Sequence, residues 1–235
     1  MPGCALSSVT LVKLLHWSLA AMVVSLCACT VAPSPTAPSV AATADALTAF
    51  EGFEPTFFRA LLQNGYEAPH LLEPIRMLRG PLRIYLRNRD ENGRAIDRTT
   101  LDMTERTLID SAWIWSGHTF GVVQVERGVG TRENSSGWLT VKWTGDSAAN
   151  RCGRSTVGID GGFIELNASG ACSCGSSTLV YPRLIRHELG HAMGYYHTDS
   201  ADDVMYGHAI TSSGCNLLPS DRERRHAKFA HNGRD

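Results

Sequence analysis

The spacing of the three histidines in the stretch HELGHAMGYYH, residues 187–197, constrains the fold more than any other part of the chain. In an α-helix with 3.6 residues per turn, His187 and His191 lie one turn apart on the same face. Gly194 can take a left-handed conformation that other residues resist, so the helix can end there and the chain can turn to bring His197 back. We therefore expect a helix, a sharp turn and three imidazoles that converge on one point.

Three converging imidazoles predict one catalytic zinc ion with His187, His191 and His197 as ligands. Three protein ligands leave a fourth position open, and the pKa of a water molecule bound there falls to about 7. Glu188 adjoins the first ligand, so we expect it to be the catalytic general base. The alternative is a chance HExxH on an ordinary amphipathic helix, but the glycine at the eighth position and the histidine at the eleventh weigh against it.

The sequence DDVMY places Met205 eight residues after His197. With this methionine, HELGHAMGYYH resembles the metzincin family of zinc endopeptidases, and the spacing, Thr198 and the Val-Met-Tyr sequence are most similar to the matrixin branch. The resemblance covers about residues 80 to 235. It implies an α+β fold with a twisted, mixed five-stranded sheet, two long helices above a zinc cleft and a small C-terminal subdomain with one helix. It also implies that Met205 forms an apolar floor below the metal.

The tyrosines near the motif are candidates for the substrate pocket. Astacins and serralysins typically place a tyrosine two residues after the turn methionine, where this chain has Gly207. A tyrosine ligand is therefore not expected. Tyr206 and Tyr196 are candidates for lining the pocket, and ordinary packing around the end of the helix is an equal alternative.

Hydrophobic periodicity and turn residues predict the remaining elements. Helices are expected from 54–55 to 64–65, over 99–116 and from 219–220, and strands over 82–86, 120–125, 138–143, 157–159 and 163–166. The resemblance implies that residues 156–160 form an edge strand that an extended peptide substrate would join.

The N-terminus has the pattern of an export signal. Lys13 is the only charged residue among the first 40, and it precedes the apolar run 19–28, which is too short to span a bilayer. Leu-Cys-Ala-Cys at 26–29 resembles a bacterial lipoprotein box, which implies lipidation of Cys29 after removal of residues 1–28. Ordinary cleavage near residues 28–32 is the alternative.

The rest of the chain divides by composition. Residues 29–48 are rich in Ala, Pro, Ser and Thr and predict a tether without a core of its own. Residues 49–79 are expected to form a helical extension and residues 80–235 the catalytic domain. A latency propeptide with a cysteine switch is not expected in the extension, because no cysteine lies between Cys29 and Cys152.

Four cysteines would remain after export and lipidation, namely Cys152, Cys172, Cys174 and Cys215. In an oxidising compartment an even number predicts two disulfides. Cys172 and Cys174 are too close to bridge without strain, so each is expected to pair with one of the other two, in an order that the sequence leaves open. A second metal site on Cys-x-Cys is the alternative.

Charge and the remaining polar residues say less about function. The chain has 22 Lys and Arg residues against 23 Asp and Glu residues, so no basic field favours nucleic acid. Calcium at Asp199, Asp202 and Asp203 is less favoured than three solvated acids. The other histidines, His70, His118, His208, His226 and His231, have no ligand-like spacing and are expected on the surface.

We therefore expect an exported zinc-dependent endopeptidase that acts on a polypeptide substrate. It should be a monomer that meets the membrane only through its lipid anchor, or be released as a secreted or periplasmic protein. The alternatives are a zinc hydrolase acting on a cell-wall amide and a catalytically inactive zinc-binding lipoprotein. The presence of Glu188 weighs against an inactive protein, because binding alone needs no general base.

Overall fold

A computed structural model of the protein describes residues 52–145, 151–208 and 214–232. The predicted signal (1–28), Cys29 and the tether (29–48) lie outside the described residues. The described helices are α1 (Pro55–Gln63), α2 (Arg98–Trp115), α3 (Pro182–Met193) and α4 (Asp221–Asn232). The strands are β1 (Arg83–Arg87), β2 (Gln124–Gly128), β3 (Trp138–Thr144), β4 (Gly153–Ser155) and β5 (Phe163–Asn167). No helix among the described residues is both long and apolar enough to cross a membrane.

The five strands form one mixed sheet in the order β2-β1-β3-β5-β4. The first four of these strands run parallel, and β4 pairs antiparallel with β5 at the edge. In β1 the three central residues, Ile84 to Leu86, are all buried, which is typical of a parallel strand covered on both faces. This sheet, together with the helices, confirms the predicted α+β class.

Trp115 joins the two central helices. Helix α2 begins at Asp97, whose side chain accepts the backbone N–H of Thr100 at 2.8 Å and so caps the helix. At the other end of α2, the fully buried Trp115 donates its ring N–H to the carbonyl of Arg186 in α3 at 2.9 Å. This bond fixes α3, the helix that carries the histidine motif, against α2 within the core.

The edge strand differs from the sequence prediction. Residues 157–159 are not a strand, and the predicted edge strand at 156–160 is wrong; the edge strand is β4, at Gly153–Ser155. Gly158 adopts a left-handed conformation (φ +57°), which turns the chain away from the sheet, and its N–H bonds to the carbonyl of His191. Three polar or small residues at an edge carry no hydrophobic alternation, so the sequence pattern does not reveal β4.

The strand predicted at 120–125 lies at 124–128 instead.

Residues 52–79, called the N-terminal segment below, share the hydrophobic core of the rest of the fold. Helix α1 begins with Pro55, ends at the left-handed Asn64, and buries Phe57, Leu61 and Leu62. The carbonyl of Leu61 accepts the backbone N–H of Tyr196 at 2.7 Å. The segment is therefore joined directly to the chain just before His197.

His226 in helix α4 is buried, so its predicted surface position is wrong; only 1% of the residue is exposed. It lies on the same buried face of α4 as Glu223, Ala227 and Ala230. Its Nδ1 donates to the carbonyl of Arg222 at 2.7 Å, and its Nε2 accepts the backbone N–H of Glu54 at 3.1 Å. Both ring nitrogens are satisfied, which permits burial of the neutral ring.

The four described cysteines form two disulfides, as predicted, and the structure resolves the pairing. Cys152 bonds to Cys172 and Cys174 bonds to Cys215, with Cα–Cα distances of 5.6 and 6.3 Å. The carbonyl of Cys215 also accepts the backbone N–H of Arg183 at 2.9 Å. The second disulfide thus joins the chain beyond Met205 to the loop before α3, and the hydrogen bond to Arg183 holds it at the start of α3.

Candidate metal centre

Helix α3 and the turn after it position the three motif histidines. Pro182 begins the helix, where its missing N–H has no intrahelical partner to lose. Gly194 ends the helix in a left-handed conformation (φ +112°), as the sequence predicts, and Tyr195 donates its N–H back to Gly190 at 3.0 Å. The chain then returns to place His197 opposite the helix.

The Nε2 atoms of the three histidines converge on one point. The distances are 3.1 Å between His187 and His191, 3.0 Å between His191 and His197, and 3.3 Å between His187 and His197. Ligands about 2.0–2.1 Å from a tetrahedral zinc ion stand about 3.3 Å apart, so the spacing suits such an ion. Across 52–145, 151–208 and 214–232, this is the one group of three or more His, Cys, Asp or Glu residues close enough to hold a metal.

Each histidine binds an acceptor through its other ring nitrogen. Nδ1 of His187 lies 2.8 Å from the carbonyl of Val204, and Nδ1 of His191 lies 2.7 Å from the carbonyl of Tyr195. Nδ1 of His197 lies 2.6 Å from Oε1 of Glu67. Because all three partners are acceptors, each Nδ1 carries the hydrogen and each Nε2 presents a lone pair to the centre. Three lone pairs that face one another repel unless a cation lies between them, so the residues fit a metal ion.

Burial keeps the helix ligands in the neutral form that binds metals. Desolvation lowers the pKa of His187 to about 4, and it lowers the pKa of His191 well below the ordinary value. Both rings therefore stay uncharged near neutral pH. Metal binding at these two ligands would not need to displace a proton.

Glu188 lies in the wall between α3 and the edge strand β4. Only 4% of the residue is exposed, and the hydroxyl of Ser155 donates to its Oε2 at 2.6 Å. Desolvation raises the pKa of Glu188 to about 7, and the Ser155 hydrogen bond opposes that rise. Gly153 packs so closely that a Cβ at its position would overlap the Glu188 carboxylate. The carboxylate is thus confined beside the histidines.

Met205 lies fully buried beneath α3, and its sulfur packs against Gly190, where a Cβ would overlap it. Its carbonyl accepts the N–H of Thr198 at 2.9 Å, so the methionine segment runs beside the third histidine. Gly207 lies so near the His197 ring that a Cβ there would also overlap it. The close approach of the His197 ring therefore favours a glycine at this position, two residues after the methionine.

Two cavities adjoin the histidines. The larger, about 420 Å³, is a cleft that contains all three histidines, Glu188, Ser155, Tyr196 and Glu67. The smaller, about 270 Å³, lies beside His187 and Glu188 and is lined by Arg151, Tyr181, Arg183, Tyr206 and His208, among others. Tyr196 and Tyr206 thus each line a cavity. Tyr195 instead belongs to the core, where its hydroxyl donates to the carbonyl of Trp115 at 2.5 Å.

One of the three acidic residues that follow His197 has a structural role. Asp203 is fully buried and accepts hydrogen bonds from Arg222 and from the Ser220 hydroxyl. These bonds join Asp203 to Arg222 in helix α4 and to Ser220 just before it. The expectation that Asp203 is a solvated acid is therefore wrong. Asp199 and Asp202 are the more exposed members of the run.

Glu67 and Ser155 contact the motif but carry no sequence signal. Glu67 lies 130 residues before its partner His197, and Ser155 lies 33 residues before Glu188. Neither belongs to a spaced motif, so only their packing reveals them.

Comparison with known proteins adds no assignment, since no protein-family model and no curated protein matches the chain. The geometry by itself defines a cluster of three histidines that could hold a metal ion, in an α+β fold.

Proposed function

We propose that this chain is an exported, zinc-dependent endopeptidase of the metzincin kind, closest to the matrixin branch. The observation that carries the proposal is the position of Glu188 beside three Nε2 atoms that lie 3.0–3.3 Å apart. An acidic side chain next to an open three-histidine site is the arrangement that hydrolysis needs. The fully buried Met205 below the helix agrees with the same class.

A zinc ion with an open coordination position polarises a carbonyl group and lowers the pKa of water. In this proposal Glu188 accepts a proton from the attacking water and passes it to the amine that leaves, so one carboxylate serves both transfers. Ser155 holds that carboxylate in place through its hydrogen bond. The histidines keep their ring orientation through their Nδ1 partners.

The edge strand β4 supports a polypeptide as the substrate. Among the described residues it pairs only with β5, so within this part of the chain one side of the strand has no neighbouring strand. An extended peptide could add to this side by backbone hydrogen bonds, with modest demands on its sequence. Ser155 of β4 contacts Glu188, so such a peptide would pass next to the general base.

The disulfides support the proposed location. Two disulfides are typical of an oxidising, extracytoplasmic compartment. Together with the signal pattern of residues 1–28, they favour an exported protein. We propose that Cys29 is lipidated and anchors the chain to a bacterial membrane, with release as a secreted or periplasmic protein as the alternative.

The test is to measure zinc content and cleavage of an unfolded protein by the wild type, Glu188→Ala and Glu126→Ala. Glu126 is a half-exposed residue on β2, at the opposite edge of the sheet from β4. Glu188→Ala should bind zinc and lose about 10²-fold or more of the cleavage rate. Glu126→Ala should match the wild type, and a chelator should stop all cleavage. Equal cleavage by the wild type and Glu188→Ala would refute the mechanism.

A second measurement tests the ligand set. His197→Ala should lower the zinc content of the purified protein, because two imidazoles alone bind zinc much more weakly than three. Unchanged zinc content would remove His197 from the ligands.

A further inference from the structure

His197 differs from the other two histidines in what orients it. Backbone carbonyls, of Val204 and Tyr195, accept from Nδ1 of His187 and His191. A side chain, Glu67, accepts from Nδ1 of His197 at 2.6 Å. The orientation of this ring therefore depends on a residue of the N-terminal segment, outside the part of the chain that carries the motif.

The N-terminal segment holds Glu67 by contacts on both sides of it. Before Glu67, helix α1 is anchored in the core by Leu61 and Leu62, and Leu61 also bonds to Tyr196 through the backbone at 2.7 Å. After Glu67, the segment bonds to the end of α3 through Leu78 N–H and Met193 O at 3.2 Å. Glu67 is thus carried by a loop whose two ends are fixed near the metal centre.

Tyr66 adds a contact to the chain beyond Met205. Its hydroxyl lies 3.3 Å from Nε2 of His208, which follows the methionine segment. His208 lines the smaller cavity beside Glu188, whereas Glu67 lines the larger cleft. The loop that carries Glu67 therefore contacts His197 in the larger cleft and His208 in the wall of the smaller cavity.

We infer that Glu67 is a positioning residue for His197 and that the N-terminal segment is a permanent part of the metal centre. This inference rests on the proposed metal site but not on peptidase activity. A carboxylate that accepts Nδ1–H fixes the tautomer and ring orientation and makes Nε2 a better ligand. A propeptide that left the domain would take this carboxylate with it, so the segment is expected to stay in the working protein.

The experiment measures zinc affinity by competition with a chromophoric chelator in the full-length protein. The variants are Glu67→Ala, Glu67→Gln and the control Glu73→Gln, a partly exposed acid in the same segment that forms an ion pair with the nearby Arg76. Loss of such a partner typically weakens metal binding about 10–100-fold, so Glu67→Ala should fall in this range. Glu67→Gln keeps an acceptor without the charge and should lose less, and Glu73→Gln should stay within about twofold of the wild type.

Thermal unfolding of the metal-free proteins separates positioning from folding. The Glu67 side chain is half exposed, so its variants should unfold at the wild-type Tm without metal and differ only when zinc is present. If the wild type binds zinc and both Glu67 variants bind it equally well, the inference is overturned while the proposed function stands. If the wild type binds no zinc, both are overturned.

Discussion

The carboxylate of Glu223 accepts the backbone N–H of Met205 at 2.8 Å and ties helix α4 to the segment beneath the three histidines. Its second oxygen accepts the N–H of Val204 at 3.0 Å and that of Ser220 at 2.7 Å. The carbonyl of the same Val204 bonds to Nδ1 of His187. One fully buried carboxylate therefore connects the C-terminal helix to His187 through a single residue, Val204.

Glu223→Ala should destabilise the protein and weaken its metal site. The change leaves three backbone N–H groups without their acceptor, and each buried unsatisfied group costs about 1–3 kcal/mol. We expect the free energy of unfolding in urea to fall by about 3 kcal/mol or more, and zinc affinity to fall with it. Asp221→Ala is the control, because this residue lies two positions earlier with a side chain that is 79% exposed. Equal losses in the two variants would contradict the assigned role.

Ser155→Ala should reduce catalysis without preventing metal binding. The change removes the hydroxyl that donates to Oε2 of Glu188 at 2.6 Å. A hydrogen bond of about 0.5–1.5 kcal/mol corresponds to a decrease of about 2–12-fold in kcat, with little change in KM. Ser155→Thr retains a hydroxyl and should recover part of the rate. If peptide cleavage by Ser155→Ala matches the wild type, the serine does not hold the general base.

Gly194→Ala should disrupt the turn that returns His197. A Cβ at this position would overlap the carbonyl oxygen of Arg76, and the left-handed backbone (φ +112°) is itself unfavourable for alanine. We expect a loss of more than about 2 kcal/mol in the free energy of unfolding and a lower zinc content.

Gly93→Ala supplies the matched control for that variant. Gly93 also has a positive φ (+79°), but no atom lies within 4 Å of a Cβ there. Its alanine variant should show only the conformational cost, about 1–2 kcal/mol, and should keep its zinc. Comparable losses of zinc from the two variants would show that the contact with Arg76 does not matter.

His226 should make the protein less stable in acid. Burial lowers the pKa of His226 below its ordinary value of 6.5, so the unfolded chain takes up a proton there that the folded protein resists. The neutral His226 therefore contributes its full stabilisation above pH 6.5, and this contribution is lost as the pH falls below that value. The free energy of unfolding of the wild type should fall more than that of His226→Gln between about pH 7.5 and about pH 5.

His118→Gln is the control for this pH dependence. His118 is exposed and stacked on Trp113, outside the core. The curves of stability against pH for this variant and the wild type should run parallel. A parallel curve for His226→Gln as well would show that His226 does not contribute to the loss in acid.

The histidine motif was the part of the site most accessible from sequence, because its geometry is local. Residues four apart on a helix must share a face, and Gly194 marks the end of that helix. The converging Nε2 atoms follow from these two facts and the return of the chain at His197. The number of disulfides was predictable from the even count of four cysteines, and a bond between Cys172 and Cys174 could be excluded because such close cysteines cannot bridge each other without strain.

Packing alone decided the features that lie far apart in the chain. Three contacts depend on how separate elements pack together, namely those of Glu67 with His197, Ser155 with Glu188 and Glu223 with Met205. The hydrophobic periodicity of the sequence does not predict such contacts. The same holds for the edge strand β4, which is too short and polar to show alternation, and for the choice between the two cysteine pairings.

The sequence by itself predicted that the three histidines converge and that Glu188 adjoins them, because helical spacing and one glycine turn act over a few residues. Only the tertiary structure decided what holds those residues in place. His197 is oriented by a carboxylate 130 residues away, and His187 by the carbonyl of Val204, whose N–H is bound by Glu223 of helix α4. Such hydrogen bonds form only after hydrophobic burial has brought distant segments together, so their partners cannot be identified from local spacing.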